Sequence, residues 1–283
     1  MKTGIIDVGG GLRGIYAAGV LDHCMDQGIH FDCCIGVSAG SANMISYMAG
    51  QRGRNYHFYT EYAFRKEYMG AGNYLHGGGY INMDYIYGTL SNADGENPLD
   101  YNSFRENPAQ FLAVAAEAIS GRVKYFDKDD VAQDDYQVLC ASCCIPGVNP
   151  PYEIDDVAYF DGALADPVPV QKALDEGCDR IVLLLTKPLE TVRTPKKDII
   201  LARTIRRRYP MAAYQLSKRA GRYNAGVDLA KKLQEQGKAL ILAPDDITGV
   251  DTLTKNKGAL CRLYDKGYQD GEKISEWFNA GDR

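Results

Sequence analysis

The stretch that most restricts the fold of this chain is Gly36-Val37-Ser38-Ala39-Gly40. An apolar run, Phe31 to Ile35, precedes it, and a small-residue helical pattern from Ser41 to Ala49 follows it. This order predicts a strand, a sharp turn and a helix, because the flanking glycines permit a bend too tight for ordinary side chains. A serine at such a bend is typical of a nucleophile elbow. The simpler interpretation is a turn whose serine only caps the helix, and the five residues alone do not decide between the two.

Length and charge exclude several classes of protein. At 283 residues the chain is long enough for one large core, and no linker-like segment divides it, so we predict a single domain over residues 1–283. A net charge of -5 with ordinary apolar content argues against a general nucleic-acid binder and against disorder. We find no signal-peptide pattern and no apolar run of membrane-spanning length, and we therefore expect a cytoplasmic protein.

The eight cysteines do not suggest a disulfide framework. Cys33-Cys34 and Cys143-Cys144 lie within apolar runs, where cysteines behave as small buried hydrophobes. Cys140 and Cys143 have CxxC spacing, but no second CxxC and no nearby histidine complete a zinc site. We expect reduced core thiols and a protein that needs no metal and no cofactor.

Apolar strands alternate with helical patterns along most of the chain. The predicted strands are Gly4–Val8, Phe31–Ile35, Gln110–Glu117, Arg122–Phe126, a run from Val157 into Asp161, Arg180–Thr186 and Ala239–Ala243. The predicted helices are Ile15–Gln27, which we expect to be amphipathic, Ser41–Ala49, Val131–Ser142, Val168–Glu176, Pro210–Gln236 and Lys257–Phe278. This alternation predicts an α/β fold with a mainly parallel central sheet covered by helices on both faces, with one antiparallel pair turning at residues 119–121.

The segment from about residue 51 to residue 107 is irregular and contains nine tyrosines among several glycines. Individual tyrosines at helical spacing, such as Tyr56 and Tyr59, more often pack in a core than bind a ligand. As a group, amphipathic aromatic side chains in a glycine-rich insertion are suited to a cap over an apolar substrate channel.

A glycine loop follows the first strand. Gly9, Gly11 and Gly14 fit GxGxxG, and Asp32 lies near the spacing of a ribose-binding acid, so a nicotinamide-dependent oxidoreductase is an alternative. In both interpretations, backbone N–H groups at a helix N-terminus converge on negative charge. In a dinucleotide fold the second strand ends at the acid, whereas here Asp32 opens that strand and Ser38 ends it. An ester oxyanion therefore suits the loop better than a pyrophosphate.

A nucleophilic serine needs a base, and the position of the histidines restricts the choice. They are His23, His30, His57 and His76, so none follows Asp161, and the Ser-acid-His order of an α/β-hydrolase cannot be built. His57 and His76 lie in the irregular segment, outside any recognisable motif. Asp161, at a strand end before Gly162, is the stronger candidate to accept the Ser38 proton directly, provided that a sparsely solvated pocket raises its basicity.

Ten basic residues and a single acid, Asp198, lie between Arg193 and Arg222 in an otherwise acidic chain. One interpretation is a solvated helix face whose partners are acids elsewhere in the chain. A second is contact with anionic phospholipid headgroups at the inner face of the membrane, aided by interleaved tyrosines, and nucleic acid is a weaker third.

Four motifs together resemble those of patatin-like phospholipases. They occur in the family's order over roughly the first 170 residues: the loop Asp7–Gly14 (DVGGGLRG), Gly36–Gly40, the run Ala141–Gly147 (ASCCIPG), and Asp161-Gly162-Ala163. Tyr209-Pro210 and Arg219–Asn224 also resemble one bacterial subgroup.

The resemblance implies a patatin-like α/β/α fold and a Ser-Asp dyad acyl hydrolase that acts on phospholipids, lysophospholipids or neutral acyl esters. Ser38 would be the nucleophile and Asp161 the base. The expected oxyanion-hole and substrate-binding residues are Gly9, Gly10, Gly11, Leu12, Arg13 and Ala39. The chain departs from many relatives at Ala163, where they have glycine. A lipid- or protein-binding member of the fold without catalysis is the remaining alternative.

Overall fold

Eight strands form one sheet in the residues that a computed structural model describes, which are 1–76, 78–253 and 255–281. The strands are β1 (Thr3–Asp7), β2 (Cys33–Val37), β3 (Gln110–Glu117), β4 (Val123–Phe126), β5 (Tyr152–Ile154), β6 (Val157–Asp161), β7 (Arg180–Leu184) and β8 (Ala239–Leu242). They are hydrogen-bonded in the order β5-β6-β3-β2-β1-β7-β8, and β4 also pairs with β3. The five strands from β3 to β8 in this order are parallel, which confirms the mainly parallel sheet.

Ten α-helices surround the sheet within the same described ranges. They are α1 (Ile15–Asp26), α2 (Ala39–Met48), α3 (Arg54–Thr60), α4 (Tyr101–Glu106), α5 (Gln137–Ser142), α6 (Val170–Asp175), α7 (Lys196–Ile205), α8 (Pro210–Glu235), α9 (Lys257–Asp270) and α10 (Glu272–Gly281). Not one of these described helices is both long and apolar enough to cross a bilayer.

Alternate residues of the strands enter two separate cores, because successive side chains of a strand point to opposite faces of the sheet. On one face Ile5 and Cys34 pack in the core that contains α1, α2 and α9. On the other face Ile6 and Ile35 pack against residues of α6 and α8. Both faces of the sheet are therefore covered, and the expected α/β/α layering is confirmed.

Several elements differ from the sequence prediction. Helix α1 is not amphipathic, since ten of its twelve residues are buried between the sheet and the neighbouring helices. The predicted helix Lys257–Phe278 is two helices that meet at Gly271. Helix α5 begins at Gln137, later than predicted, and β5 and α7 were not predicted at all. Strand β5 is only three residues long, too short for a recognisable alternation.

The register of β3 places the end of β2 beside the end of β6. Val37, the last residue of β2, pairs with Val114, and Asp161, the last residue of β6, pairs with Ala115. Residues 113–114 of β3 pair with both β2 and β4, and residues 115–116 pair with both β4 and β6. Strands β2 and β6 must therefore share one edge of β3, and because β6 is antiparallel to β3, its last residue lies next to the last residue of β2. Ser38 and Asp161 meet at this junction.

Candidate active site

Ser38 occupies a sharp turn between β2 and α2. Its backbone has φ 58° and ψ -132°, a region that non-glycine residues rarely adopt and that costs about 1–3 kcal/mol. The Ser38 side chain makes no capping hydrogen bond to α2. The backbone carbonyl oxygen of Ser38 accepts the backbone N–H of Ser41 at 2.9 Å. The capping interpretation therefore does not account for this serine, and the strained geometry is that of a nucleophile elbow.

Buried hydrogen bonds hold the strained turn in place. The Ser38 backbone N–H donates to Ser142 Oγ at 3.0 Å, and that hydroxyl donates to the carbonyl oxygen of Val114 at 2.7 Å. Ser142 is 0% exposed. The motif that contains Ser142 was noted in the sequence, but its contact with the turn was not predicted, because it depends on how α5 packs beside β3.

Gly40 allows α2 to approach the first strand closely. A Cβ at this position would overlap the Asp7 carbonyl oxygen and lie 2.8 Å from the Asp7 carboxyl carbon. Asp7 is fully buried and accepts the Gly9 N–H and the Asn43 side-chain amide, both at 2.8 Å. Burial raises the pKa of Asp7 to about 6, and these two hydrogen bonds oppose that rise. The Asp7 carboxylate thus connects α2, through Asn43, to the glycine loop, through Gly9.

Asp161 and Ser38 line one cleft, in which the Asp161 carboxyl group faces the Ser38 side chain. Burial raises the pKa of Asp161 above the usual range of an aspartate, while the Ser38 hydroxyl and the Ala163 N–H stabilise the charged form and lower it in part. The Ala163 N–H donates to Asp161 Oδ1 at 2.8 Å. The contact uses the backbone of Ala163, so a methyl group where relatives have glycine leaves it intact. A carboxylate in this environment is a stronger base than one in water.

The glycine loop lies directly against the elbow. Gly9, Gly10 and Gly11 all have positive φ, and a Cβ at Gly9 would overlap the Val37 carbonyl oxygen. The N–H groups of Gly10 and Gly11 have no acceptor among the described residues. Both loop residues line the cleft that contains Ser38. Two amides are thus available for an anion next to the serine.

Residues distant in the chain hold the glycine loop in place through an ion pair and hydrogen bonds. Arg13 pairs with Asp251 at 2.5 Å and donates to the Thr252 hydroxyl at 2.9 Å, and the Leu12 N–H donates to the Thr252 carbonyl oxygen at 3.0 Å. The Thr186 hydroxyl donates to the Gly9 carbonyl oxygen. Arg13 thus links the glycine loop to the segment that contains Asp251 and Thr252. The sequence contains no signal for its partners, which lie far along the chain.

An apolar cavity of about 70 Å³ opens on one side of Ser38. Much of its wall comes from the tyrosine-rich segment, including Tyr59, Tyr68 and Tyr87, together with Leu12 and Ala39. Other tyrosines of the segment pack against neighbouring side chains, and Tyr74 is half exposed. The segment therefore combines core packing with the lining of a channel beside the serine.

The histidine side chains that the structure describes lie away from Ser38. The His57 side chain is 52% exposed and pairs with Glu61 at 3.2 Å, outside the residues that line the cleft. His23 is buried against α10, and its Nε2 lies 3.3 Å from Ser275 Oγ. The side chain of His76 lies outside the described part of the chain. Asp161 is thus the base candidate that the fold brings to Ser38.

The position of Asp32 does not favour a dinucleotide site. Asp32 precedes β2 and accepts the Thr3 N–H at 2.7 Å. Asp32 therefore lies at the amino-terminal ends of the parallel strands, whereas Ser38 and the glycine loop lie at their carboxyl ends. From there it cannot reach a ribose bound at that loop.

Comparisons with known proteins identify the family of this chain. The model of the family described as "Patatin-like phospholipase" matches residues 8–174, more than half of the chain. The chain belongs to the patatin-like phospholipases, a family of lipid acyl hydrolases. A second model, described as "Domain of unknown function (DUF6363)", matches residues 209–280.

Two individual proteins are similar to this chain. The uncharacterized protein YjjU of Escherichia coli (strain K12) is 27% identical over 208 residues, which cover 69% of this chain and 55% of YjjU. The chain thus spans about half the length of this curated relative. The crystal structure of VipD from Legionella pneumophila is similar with a TM-score of 0.50 and 14% identity, covering 96% of this chain and 66% of VipD. At this identity the likeness shows the fold alone.

Proposed function

We propose that this protein hydrolyses acyl esters of lipids through a dyad of Ser38 and Asp161. The observation that carries the proposal is the meeting of these two side chains where β2 and β6 adjoin. They lie beside a glycine loop in which two amides have no acceptor among the described residues. The family supports a lipid acyl hydrolase in general, and the site supports these residues in particular.

In this proposal Ser38 Oγ attacks the ester carbonyl carbon while Asp161 accepts the hydroxyl proton. The amides of Gly10 and Gly11 stabilise the negative oxygen of the tetrahedral intermediate. The intermediate collapses to an acyl-serine, and the leaving alkoxide takes the proton from Asp161. Water then attacks the acyl-serine, Asp161 accepts its proton, and the fatty acid leaves as Ser38 regains its hydrogen.

The apolar cavity beside Ser38 supports a lipid as the acyl donor. Its lining of tyrosine, methionine and isoleucine side chains suits a hydrocarbon chain, which gains about 0.8 kcal/mol for each buried methylene. An acyl chain in this cavity would place its ester carbonyl between Ser38 and the glycine loop.

Two substitutions test the dyad. Ser38→Ala should abolish labelling by a fluorophosphonate probe and hydrolysis of a soluble p-nitrophenyl ester. Asp161→Asn should keep the fold and lose about 10²–10⁴-fold in turnover, because an amide cannot accept the proton. The matched controls are Ser217→Ala, at a half-buried position of α8, and Asp175→Asn, at an exposed position of α6. Equal labelling of wild type and Ser38→Ala would exclude Ser38 as the nucleophile. Lipid binding without any ester cleavage would favour a non-catalytic member of the fold.

The basic segment supports contact with an anionic membrane. Seven of its ten basic residues are exposed, and these seven form no salt bridge with the described part of the chain: Lys196, Lys197, Arg203, Arg206, Arg207, Arg208 and Lys218. Exposed apolar side chains lie among them, including Val192, Ile200 and Tyr214. Helices α7 and α8 also supply Leu201 and Tyr223 to the wall of the cleft, so a membrane at this face would lie next to the active site.

Vesicle sedimentation tests this contact. Each basic residue near an anionic surface contributes about 1 kcal/mol, so changing Arg206, Arg207 and Arg208 together to Gln should weaken binding to phosphatidylglycerol vesicles by on the order of 100-fold. Binding to neutral phosphatidylcholine vesicles should change little. Unchanged binding to the anionic vesicles would contradict the proposed face.

A further inference from the structure

A second cavity, which adjoins the apolar cavity at Ser38, is strongly basic. It has a volume of about 160 Å³ and contains both dyad residues, the glycine loop and four cationic side chains. The cationic side chains are Arg13, Lys187, Arg193 and Arg219. This basic cleft contrasts with the apolar cavity, and Ser38 lines both.

Two of the four cations are neutralised within the protein. Arg13 pairs with Asp251, and Arg219 pairs with Asp198 at 2.5 Å. Lys187 and Arg193 form no salt bridge with any described residue. Asp161 also lines this cleft, and the positive charges of Arg219 and Arg193 favour its ionised form. The four cations of the basic cleft therefore face three carboxylates, Asp251, Asp198 and Asp161, and positive charge remains in excess.

Arg193 is held in place. Its backbone N–H donates to the Asn224 side-chain oxygen, and its carbonyl oxygen accepts the Asn224 side-chain amide, both at 3.0 Å. Its guanidinium lies 4.9 Å from the ring centre of buried Tyr223. A guanidinium fixed in this way loses little conformational freedom when it binds an anion.

Partial burial of these cations is unfavourable without a counter-charge. Burial lowers the pKa of Lys187 to about 8, and the positive charges of Arg13 and Arg193 contribute to this decrease. The Nε of Arg13 is buried and has no acceptor among the described residues. Burying an unpaired charge costs free energy that a bound anion would recover.

The arrangement of the two cavities separates the two halves of an ester. If the acyl chain occupies the apolar cavity, the alcohol half must extend from Ser38 into other space. The basic cleft is a second cavity that Ser38 lines, and it adjoins the apolar one at Ser38 and Gly11.

We propose that Lys187 and Arg193 bind an acidic group, a phosphate or a carboxylate, on the alcohol half of the substrate. The substrates are then acyl esters of acidic alcohols, such as phosphorylated glycerol, in preference to neutral acylglycerols. This inference rests on the proposed hydrolase function and adds a specificity site to it.

The test compares two esters with the same acyl chain, an acylglycerol phosphate and the matching acylglycerol. Wild-type protein should show a higher kcat/KM for the charged ester. Arg193→Gln and Lys187→Gln should each lower the charged-to-neutral ratio of kcat/KM by about 10–100-fold, the usual effect of losing one charge-assisted hydrogen bond. Arg193→Lys should retain part of the preference. Lys232→Gln, at an exposed position of α8 away from the cleft and from the basic segment, should leave the ratio unchanged.

A ratio near one in wild type, or a ratio that Arg193→Gln and Lys187→Gln do not alter, would overturn the proposal. Such results would be expected if these cations only kept Asp161 ionised, since that effect is the same for both esters.

A binding experiment separates failure of this inference from failure of the hydrolase proposal. Titration calorimetry of Ser38→Ala with glycerol phosphate needs no catalysis, and it should detect binding that Arg193→Gln removes in the same background. Inorganic phosphate should bind more weakly than glycerol phosphate. Absence of glycerol phosphate binding would refute the acidic-group site even if ester hydrolysis is found. Equal affinity for both ligands would assign the cleft to free phosphate and refute the alcohol-half assignment.

Discussion

Replacement of Ser142 by alanine tests the structural basis of the elbow. Ser142 Oγ accepts the Ser38 backbone N–H at 3.0 Å and donates to the Val114 carbonyl oxygen at 2.7 Å. Alanine removes both bonds and leaves the Ser38 N–H without an acceptor in a buried site. The strained backbone of Ser38 then loses the bond that opposes its relaxation.

The expected loss of stability follows from these two bonds. A buried donor left without a partner costs about 1–3 kcal/mol, and the lost bond to Val114 costs about 1 kcal/mol more. The total is about 2–4 kcal/mol in the free energy of unfolding. For a chain of this size that corresponds to a decrease of roughly 3–7 °C in melting temperature. A shift of the nucleophile by a fraction of an ångström should also lower kcat by on the order of 10–100-fold.

Thermal unfolding and the rate of fluorophosphonate labelling measure these effects separately. Ser142→Cys keeps nearly the same size with a weaker donor and acceptor, so it should fall between wild type and Ser142→Ala. Ser217→Ala removes a hydroxyl that donates to the Tyr214 carbonyl oxygen on the surface of α8, and should change stability by less than about 0.5 kcal/mol. If Ser142→Ala melts and labels like wild type, the Ser38 turn does not depend on this hydrogen bond.

Three further predictions concern the elbow, the base and the acyl cavity. Gly40→Ala should lower the free energy of unfolding by about 1–3 kcal/mol or more and remove most fluorophosphonate labelling, because the new Cβ would overlap the Asp7 carbonyl oxygen. The control Gly221→Ala, in open space on α8, should raise the melting temperature slightly. Equal melting temperatures for these two variants would contradict the close approach. Because Asp161 acts only when ionised and burial raises its pKa, kcat/KM for a soluble ester should fall as pH decreases, with a midpoint above the usual aspartate value of about 3.9. A midpoint at or below that value would argue against Asp161 as the base. Ala42→Phe should fill the apolar cavity of about 70 Å³ and shift the preference to shorter acyl chains, measured with p-nitrophenyl esters of increasing length, and an unaltered chain-length profile would place the acyl group elsewhere.

The prediction was most successful where structure depends on neighbouring residues. Strand β3 has the predicted bounds Gln110–Glu117, and β1, β2, β7 and β8 lie within about two residues of their predictions. These are continuous apolar runs, and such runs are strands of a sheet covered on both faces. Helix α7 was missed because its pattern mixes basic residues with apolar side chains that remain exposed, such as Ile200, so no clear buried face marks it.

In the candidate site, too, the features that depend on neighbouring residues were predicted and the contacts between distant segments were not. The local sequence predicts the Ser38 turn, the glycine loop and the strand end at Asp161, because backbone geometry at glycine and at strand ends is a local property. The absence of a histidine after Asp161 likewise follows from the sequence. The partners of the loop, Thr252 and Thr186, were not predictable, since contacts between distant segments leave no periodic signal.

The sequence by itself thus determined the alternation of strands and helices, the elbow and the candidate nucleophile and base. Only the tertiary structure decided that Ser38 and Asp161 meet, because this depends on β6 pairing with β3 where β2 ends. It also decided that Ser38 lies between an apolar cavity and a basic cleft. The walls of both come from segments far from Ser38 in the chain, and long-range packing, which no local pattern encodes, brings them together.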